Sequence, residues 1–507
     1  MTTFDRDAGL ARLAGERFDV LVVGGGITGA GVALDAASRG LRTALVERDD
    51  FGAGTSSRSS KLVHGGLRYL SQGDYRLVAQ ALAERQRLLE NAPHLVRPLP
   101  FLYPTYGSRS RMQAVSSALW LYDLAGGFRI GSLHRRITPV EALAHTPALR
   151  ADGLAGAHLY LDAQADDARL TLAVVRTAVL DHLAVAVNHL AVLDVFAGGA
   201  RIDAGGGREI EVRASAVVNA AGVWADRVAG DGPATIRPAK GVHITVPAAL
   251  VPTDVALVLP VPADGRSIFV VPWPGADRVY IGTTDTDYDG PLDHPTCTAE
   301  DTAYLLDAVN AALTTSLTSD DVVGDWAGLR PLVAAAGNSQ RSADLSRRHR
   351  VTRSAGGMVT VTGGKLTTYR AMAADTVDEV EAVLGRRRTR SRTANLRLRG
   401  AAGAGDDHLG RRYGSEAGVV RAMVAADPTL GEALVPTLPY LRAEAVYAAR
   451  YEMARTLDDV LARRTRSSIL ARDAARAAAP SVARLVAPEL GWDEAEVAAQ
   501  VEAYCAG

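Results

Sequence analysis

The residues with the clearest chemical purpose are three glycines near the N-terminus, Gly24, Gly26 and Gly29. They follow the apolar run 20–23, which is typical of a buried parallel strand. Their G-x-G-x-x-G spacing permits a tight turn, close approach of the backbone to a pyrophosphate, and close packing of a helix on the strand. Apolar residues in 27–38 recur at helical spacing, so a helix would direct its N-terminal amides toward the phosphates. This stretch therefore predicts a dinucleotide site.

Glu47 supports the same interpretation from the next strand. The apolar run 43–46 ends at Glu47, about 20 residues after the glycines, where a carboxylate can accept hydrogen bonds from ribose hydroxyls. A glycine-rich turn without a ligand is the alternative, but strand, glycines, helix, second strand and acid occur in the expected order. The motif by itself does not distinguish NAD from FAD.

The small and polar segment that follows could be a surface loop by composition alone. However, TSSRSSKLVHGGLRYL (55–70) resembles the signature of FAD-dependent glycerol-3-phosphate dehydrogenases, which are respiratory flavoenzymes. The resemblance continues at KGVH (240–243), IGTTD (281–285), GLRPL (328–332) and GGKLTTYR (363–370). Several long motifs in this order, spread over most of the chain, make the resemblance specific.

The resemblance implies a function. It implies oxidation of sn-glycerol 3-phosphate to dihydroxyacetone phosphate, with hydride passing to noncovalently bound FAD and electrons passing on to a membrane quinone. The alternatives are a glycerol-3-phosphate oxidase that uses dioxygen, a related FAD-dependent amine or 2-hydroxy acid oxidase, and a non-redox flavin-binding protein. The quoted motifs do not separate quinone from dioxygen as the electron acceptor.

Cofactor contacts are expected along the glycine turn, the 55–70 segment and two later turns. A strand that ends in NAAG (219–222) resembles the second cofactor-supporting segment of two-domain flavoproteins, and a strand followed by glycines recurs at 360–364. The residues expected to bind FAD are Gly24, Gly26, Ile27, Thr28, Gly29, Glu47, Thr55, Ser56, Ser57, Ser60, Lys61, Leu62, His64, Ala221, Gly222, Gly364, Lys365, Leu366 and Thr367.

Oxidation of a secondary alcohol requires a hydride acceptor, which the flavin supplies, and a proton acceptor with a pKa near the working pH. Histidine suits the second task, and His64 and His243 lie within the family-like motifs. The resemblance favours a position on the substrate side for His243 and a position near the flavin for His64. Which of them is the base stays open, and either could instead be structural. An arginine-polarised water is a further alternative, and Arg330 is the third expected catalytic residue.

A phosphate ester carries close to two negative charges and needs several donors that converge on one point. The motifs GGLRY, GLRP and GGKLTTYR supply such donors. The residues expected to bind the substrate are Arg68, Tyr69, His243, Arg330 and Lys365. Arg330 is the strongest candidate among the arginines, because its neighbours are apolar and include a proline.

The composition limits the possible partners. The chain has 507 residues, a net charge of −1 and a pI of about 6.8, so there is no bulk electrostatic case for nucleic-acid binding. The two cysteines, Cys297 and Cys505, form no C-x-x-C motif, and we expect neither a disulfide framework nor a metal site. Only three of the 56 Lys and Arg residues are lysines, Lys61, Lys240 and Lys365, and all three lie within the family-like motifs. This placement indicates that each lysine has a specific task.

Membrane contact is expected to be peripheral. No apolar run reaches the about 18 residues that a transmembrane helix needs, and residues 1–18 are too charged for a signal peptide. We therefore expect a cytoplasmic protein on the inner face of the cytoplasmic membrane, where it can meet a quinone. The apolar stripe in 112–124, with Trp120 and Tyr122, predicts either a packed core helix or an interfacial helix preceded by Arg109 and Arg111. A homodimer is the expected assembly.

The predicted fold class is α/β (α+β), with three parts. Residues 166–190 are expected to be helical, residues 237–290 to form strands, and the C-terminal region to be mostly helical, for example at 443–461. The parts are a discontinuous Rossmann-like FAD-binding domain of the two-domain flavoprotein type (1–75, 150–235 and 325–385), a β-sheet substrate or cap domain (76–149 and 236–324), and an all-helical C-terminal domain (400–507).

Overall fold

Two β-sheets and a helical C-terminal region make up the computed structural model. It describes residues 4–67, 73–127, 132–230, 235–261, 266–333, 348–403 and 405–507. Arg68 and Tyr69, two of the expected substrate ligands, lie outside the described residues.

The first sheet carries the glycine turn. Its strands are β1 (Arg17–Val23), β2 (Thr43–Val46), β7 (Val185–Val187), β8 (Ala191–Phe196), β9 (Gly199–Asp203), β10 (Glu209–Asn219), β17 (Arg350–Arg353) and β18 (Val359–Thr362). The hydrogen-bonded order is β17-β18-β10-β1-β2-β7, with β9 paired to β10 and β8 paired to β9. The neighbours β18, β10, β1, β2 and β7 run parallel. Such a sheet places the carboxyl ends of these strands along one edge, where open α/β sheets bind ligands.

The second sheet is larger. Its strands are β3 (Leu62–Val63), β4 (Val96–Tyr106), β5 (Arg135–Ile137), β6 (Leu154–Ala165), β11 (Ile236–Pro247), β12 (Ala256–Val261), β13 (Arg266–Pro272), β14 (Arg278–Gly282), β15 (Thr286–Asp287) and β16 (Gly324–Val333). Its order is β15-β11-β14-β13-β12-β4-β6-β3, with β16 paired to β11 and β5 paired to β6. Most pairings are antiparallel, and the strands predicted within 237–290 are present as β11 to β15.

Helices cover the sheets and form the C-terminal region. The α-helices in the described residues are α1 (Arg6–Gly15), α2 (Ile27–Ser38), α3 (Tyr75–Asn91), α4 (Arg109–Ala125), α5 (Pro139–His145), α6 (Asp167–Leu180), α7 (Ala225–Ala229), α8 (Ala299–Ala312), α9 (Tyr369–Val383), α10 (His408–Tyr413), α11 (Ala417–Ala426), α12 (Arg442–Tyr451), α13 (Ser467–Leu470), α14 (Arg472–Leu490) and α15 (Glu494–Ala506). None of these described helices is long and apolar enough to cross a bilayer.

Two predicted helices are shorter than expected. The helix predicted at 166–190 ends at Leu180, because the valines at 185 and 187 pair with β2 as a parallel strand. β-Branched residues favour such a strand, and the apolar pattern alone could not separate it from a helix. The helix predicted at 443–461 likewise ends at Tyr451, and a π-helical turn follows at Asp459–Arg464.

The sheets also divide the chain differently from the predicted domain ranges. β6 and β16 fall within ranges assigned to the FAD-binding domain, but both hydrogen-bond within the second sheet. Their sequences are amphipathic strand patterns, which do not tell to which sheet a strand belongs. The division into domains therefore stays a prediction.

Helix α4 combines the two interpretations of the 112–124 stripe. Met112, Leu119 and Tyr122 are buried in the core, whereas Trp120 and its neighbours on the opposite face are exposed. The exposed fractions are 53% for Trp120, 48% for Leu121 and 62% for Leu124. We call these three residues the apolar α4 surface.

Buried ion pairs join the C-terminal helices to the rest of the chain. The pairs are Arg464–Asp50 (2.9 Å), Arg169–Glu452 (2.7 Å) and Arg466–Asp167 (3.0 Å). All six side chains are at most 6% exposed. We call this set the C-terminal junction. It contacts the first sheet through Asp50, which follows strand β2 and the predicted ribose ligand Glu47.

Candidate active site

The glycine turn lies between strand β1 and helix α2, as predicted. A Cβ atom on Gly29 would stand 1.9 Å from the carbonyl oxygen of Gly24, so Gly29 is the close-packing glycine. Gly24 has a φ of +108°, and a Cβ there would approach the Ala220 carbonyl oxygen at 2.7 Å. Gly26 differs, because its Cβ would meet only Ser56 Oγ, at 3.2 Å. The turn thus leaves room above Gly26, where a pyrophosphate is expected.

Polar groups surround this open position. Ser56 Oγ accepts a hydrogen bond of 2.9 Å from the backbone N–H of Ile27, the first residue of helix α2. Glu47, at the end of β2, accepts hydrogen bonds from the backbone N–H groups of Gly25 (2.5 Å) and Asp49 (2.9 Å). Burial raises the pKa of the Glu47 carboxyl. Its position beside the turn suits the predicted contact with ribose hydroxyls.

A cleft of about 900 Å³ begins at this turn. It extends along the carboxyl edge of the first sheet toward Pro331 and Lys365. Of the residues expected to bind FAD, those that line the cleft are Gly24, Gly26, Ile27, Thr28, Glu47, Thr55, Ser56, Ala221, Gly222, Gly364, Lys365 and Leu366. The glycine cradle, the helix N-terminus and the acid together fit FAD.

The remaining expected cofactor residues do not line the cleft. They are Gly29, Ser57, Ser60, Lys61, Leu62, His64 and Thr367. Thr367 illustrates the arrangement, since its hydroxyl accepts a hydrogen bond from the backbone N–H of His64 (3.2 Å) and donates one to the His64 carbonyl oxygen (3.3 Å). The His64 ring packs edge-on against Phe269, with the ring centroids 6.4 Å apart.

Lys61 is buried at the base of the site. Its Nζ donates hydrogen bonds to the carbonyl oxygens of Ser57 and Ser59, both at 3.2 Å, and lies 3.4 Å from Asp167. It also lies 4.3 Å from the centre of the Trp326 ring. Burial lowers the pKa of the Lys61 ammonium to about 7, although Asp167 opposes this shift. Lys61 therefore braces the 55–61 segment from behind.

His243 lies on strand β11 and is 2% exposed. Its Nε2 shares a hydrogen bond of 2.9 Å with Ser60 Oγ, and its ring stacks on Trp326 with a centroid separation of 4.7 Å. Burial, and then the charges of Lys61 and Arg330, lower the pKa of His243 well below its usual value. The imidazole is therefore neutral at neutral pH, and its Nδ1 has no hydrogen-bond partner in the described part of the chain.

Arg330 lies on the same face of the second sheet as His243, farther along the paired strands β11 and β16. On that face, His243 pairs with Trp326, Gly241 pairs with Gly328, and Ala239 pairs with Arg330. Because Gly241 has no side chain, the guanidinium can approach the backbone: a Cβ there would lie 2.6 Å from Arg330 Nη2.

Three groups of the IGTTD motif orient this guanidinium. Arg330 Nη1 donates to the Thr284 carbonyl oxygen (3.2 Å) and to Asp285 (3.3 Å), and Nη2 donates to Thr283 Oγ1 (3.1 Å). The neighbouring Leu329 carbonyl oxygen accepts a hydrogen bond from Thr55, which lines the cleft. The fold thus places Arg330 and His243 on one face of the second sheet, and Pro331, next to Arg330, lines the cofactor cleft.

Sequence reasoning missed several residues that organise this region. Trp326 contacts both His243 and Lys61, and Asp167 accepts hydrogen bonds from Ser59, Lys61 and Arg466. Asp167 could be read only as a helix N-terminal acid, and it is indeed the first residue of helix α6. Trp326 lies two residues before the GLRPL motif, and this position in the sequence could have identified it as a candidate.

Comparisons with known proteins agree with these observations. A family model described as FAD dependent oxidoreductase matches residues 19–377, and one described as C-terminal domain of alpha-glycerophosphate oxidase matches residues 391–497. Glycerol-3-phosphate dehydrogenase 2 of Mycobacterium tuberculosis is 42% identical, over 98% of this chain and 88% of that protein. The mitochondrial glycerol-3-phosphate dehydrogenase of Homo sapiens is 38% identical, over 96% of this chain and 72% of that protein.

A solved structure extends the similarity to the fold. The glycerol-3-phosphate dehydrogenase from Bacillus halodurans, complexed with FAD, matches with a TM-score of 0.79 and 32% sequence identity. The match covers 98% of this chain and 95% of that one. The predicted fold class and cofactor are thereby confirmed, and the chain belongs to the family of FAD-dependent glycerol-3-phosphate dehydrogenases.

Proposed function

We propose that this enzyme oxidises sn-glycerol 3-phosphate to dihydroxyacetone phosphate and passes the electrons to a membrane quinone. The observation that carries the proposal is the position of the buried His243 and the cationic Arg330 on one face of the second sheet. The substrate named for the relatives supports it, because it carries both a hydroxyl to deprotonate and a phosphate to hold.

His243 is proposed as the base that takes the hydroxyl proton. A base must be unprotonated before the reaction, and burial keeps the His243 pKa low enough for this state at neutral pH. The hydrogen bond with Ser60 and the stacking on Trp326 hold the ring in one orientation. His64, the other expected catalytic histidine, is proposed to support the flavin side. FAD supplies the hydride acceptor when it is bound.

Arg330 and Lys365 are proposed to hold the phosphate, together with Arg68 and Tyr69 from the segment outside the described residues. Arg330 is well oriented for this task, because Thr283, Thr284 and Asp285 fix its guanidinium. A planar guanidinium can bind phosphate oxygens in a bidentate manner. Lys365 lies at the far part of the cleft, before the turn Leu366–Thr368, and adds a second cation.

The dehydrogenase names of the relatives favour a quinone acceptor over dioxygen. An amine or 2-hydroxy acid oxidase is disfavoured, because its substrate does not need a cluster of cations that binds phosphate.

The test is anaerobic reduction of the bound flavin. Glycerol 3-phosphate should bleach the flavin absorbance, and lactate and glycine should not. The reduced enzyme should then be reoxidised rapidly by a soluble ubiquinone analogue and slowly by dioxygen. Fast reoxidation by dioxygen would assign an oxidase instead.

The apolar α4 surface is the proposed membrane contact. Trp120, Leu121 and Leu124 are exposed on one helix. The Trp120 ring packs against the His134 ring, with the ring centroids 5.0 Å apart. The segment of His134 adds the exposed Leu133, followed by the exposed Arg135. Apolar side chains next to cations suit the interface of an anionic bilayer. We propose that this surface places the enzyme on the inner face of the cytoplasmic membrane.

A vesicle-binding experiment tests this contact. Trp120→Glu with Leu124→Glu should release the holoenzyme from anionic vesicles and lower quinone reduction, while turnover with a soluble dye is unchanged. Leu183→Glu, at an exposed leucine that lines no described cavity, is the matched control and should still bind. Leu119→Glu is unsuitable, because Leu119 is fully buried and its change would disturb the core. Unchanged vesicle binding of the double variant would place the membrane face elsewhere.

The expected homodimer also remains a proposal. Sedimentation analysis of the holoenzyme should give about twice the 53.3 kDa chain mass, and a monomer at all concentrations would contradict it.

A further inference from the structure

A second cavity lies behind the cofactor site, where the second sheet, helix α6 and the C-terminal helices meet. Its volume is about 150 Å³, enough for a few non-hydrogen atoms beyond a phosphate group. It shares no lining residue with the cofactor cleft. Lys61 and Tyr280 form part of its wall, and the Tyr280 hydroxyl donates a hydrogen bond of 3.0 Å to the Ser60 carbonyl oxygen.

Cations dominate the lining. Arg97, Arg169, Arg411 and Arg412 come from three different parts of the chain, and Asp166 is the only acid among the lining residues. Two of these arginines are neutralised from behind. Arg169 is held by Glu452, at 2.7 Å, and Arg412 by Glu444, at 3.0 Å.

The other two arginines retain their charge toward the cavity. Arg411 forms no ion pair within the described residues. Arg97 Nη1 lies 3.5 Å from the almost fully exposed Asp406, and its Nη2 donates a hydrogen bond of 3.0 Å to the Gly405 carbonyl oxygen. Burial, followed by the nearby positive charge of Arg411, lowers the pKa of Arg97. Two like charges placed side by side without a buried acid between them are stabilised by an anion.

Polar groups in the lining are also left without partners. Arg97 Nε, Arg169 Nε, Arg411 Nε, His94 Nδ1 and the Tyr440 hydroxyl are buried and make no hydrogen bond in the described part of the chain. Two of these side chains are almost completely buried, His94 at 3% and Tyr440 at 1% exposure. Native proteins rarely leave so many buried polar atoms unsatisfied around one cavity.

The remaining wall is apolar. Leu95 and Trp273 are each 8% exposed and line the cavity, and Pro274 is exposed beside them. A ligand with one anionic end and one small carbon portion would therefore match both halves of the lining.

We propose that this cavity binds a small phosphomonoester, with its phosphate between Arg97 and Arg411 and its carbon portion against Leu95 and Trp273. Guanidinium pairs suit phosphate because its oxygens accept several charge-assisted hydrogen bonds at once. The site is separate from the one that carries the proposed reaction. Because Lys61 lies in its wall and also contacts Trp326, occupancy would be felt at His243.

The test uses fluorine NMR of holoenzyme labelled with 5-fluorotryptophan. The chain has five tryptophans, and Trp273→Phe identifies the resonance of the cavity reporter. Methyl phosphate should shift the Trp273 resonance with saturation, and inorganic phosphate should do so more weakly because it lacks the carbon portion. Arg411→Gln should weaken methyl phosphate binding about tenfold, as expected for the loss of one charged hydrogen-bond donor.

Matched variants separate this site from the cofactor cleft and from nonspecific charge effects. Arg450→Gln, at an exposed arginine paired with Glu489, should bind methyl phosphate as the parent does. Arg330→Gln should also keep the Trp273 response, so failure of the proposed function would leave this site intact. Arg411→Gln is expected to fold, and Arg97→Gln provides a second variant if it does not. The proposal is overturned if the Trp273 resonance does not saturate, if malonate competes as well as methyl phosphate, or if both arginine variants bind normally.

Discussion

The glycine turn and the C-terminal junction both involve residues that follow strands of the first sheet, but they are built in opposite ways. In the turn, backbone atoms approach one another because side chains are absent: a Cβ on Gly29 would stand 1.9 Å from the Gly24 oxygen. In the junction, long charged side chains meet across large sequence distances, as when Arg464 reaches Asp50 at 2.9 Å.

The difference teaches which interactions tolerate substitution and which can be found in a sequence. Steric contacts within a turn require glycines at fixed positions in the sequence, because a side chain at each of these positions would collide with a nearby backbone atom. Buried ion pairs produce no motif with a fixed spacing in the sequence, because either partner can come from anywhere in the chain. Charge removal in the junction should therefore affect stability, whereas charge removal in the cleft should affect catalysis.

The largest effect is expected for Gly29→Ala. The added Cβ would collide with a backbone oxygen that cannot move without opening the turn, so the variant should yield little folded protein. Gly26→Val is the matched contrast, because Cβ at that position meets only a serine hydroxyl. It should fold but contain little FAD. Far-ultraviolet circular dichroism and the flavin-to-protein absorbance ratio measure the two outcomes, and full FAD content in Gly26→Val would disprove the pyrophosphate assignment.

Arg464→Met should give the next largest effect, a loss of about 3–5 kcal/mol in the free energy of unfolding. Its removal leaves the buried Asp50 without its bidentate partner, although Arg463 still donates one hydrogen bond at 2.8 Å. Arg442→Met is the control, since its pair with Glu432 is largely exposed and should contribute less than about 1 kcal/mol. Urea denaturation of the holoenzymes measures both. Equal losses would mean that the junction behaves as a surface ion-pair network.

Arg330→Ala should act on turnover and leave stability and FAD content unchanged. Loss of a charge-assisted phosphate contact in a desolvated site costs on the order of 3 kcal/mol, so kcat/KM for glycerol 3-phosphate should fall about a hundredfold or more. Arg330→Lys keeps the charge but not the fork geometry, and should recover only part of the activity. If Arg330→Ala retains kcat/KM but loses stability, Arg330 belongs with the structural arginines.

The remaining prediction is a pH dependence at Lys61, whose Nζ lies 3.4 Å from Asp167 of the C-terminal junction. Its pKa is about 7 in the folded protein and 10.5 in the unfolded chain, so the unfolded state binds more protons between these values. Stability of the parent relative to Lys61→Met should therefore rise as the pH increases from about 7 toward 10.5. Urea denaturation at several pH values measures the difference. A constant difference across this range would show that Lys61 is not desolvated.

Local structure near the N-terminus could be predicted almost residue by residue. The predicted helix at 27–38 and strand at 43–46 match Ile27–Ser38 and Thr43–Val46. The reason is that a buried strand, a glycine turn and an amphipathic helix each have a short-range signature. Motif resemblance also led to the family and to FAD, both of which the comparisons bear out.

Longer-range features could not be predicted in this way. The 166–190 segment was assigned to one helix because a short buried strand of valines has no period to distinguish it. The exposure of Trp120 beside the buried Leu119 depends on which face of helix α4 meets the core. Trp326 and Asp167 have no motif of their own, since their roles come from contacts with Lys61 and His243.

The sequence by itself therefore determined the dinucleotide turn, the family and the chemical types of the candidate site residues, because these depend on local sterics and on motifs that stay contiguous in the chain. The tertiary structure alone decided which residues face the cleft and which stand behind it, and that His243 is buried and neutral. It also decided that the C-terminal helices are joined through buried arginine–carboxylate pairs. Burial and ion pairing depend on residues hundreds of positions apart, as for Arg466 and Asp167, and only the folded chain brings these together.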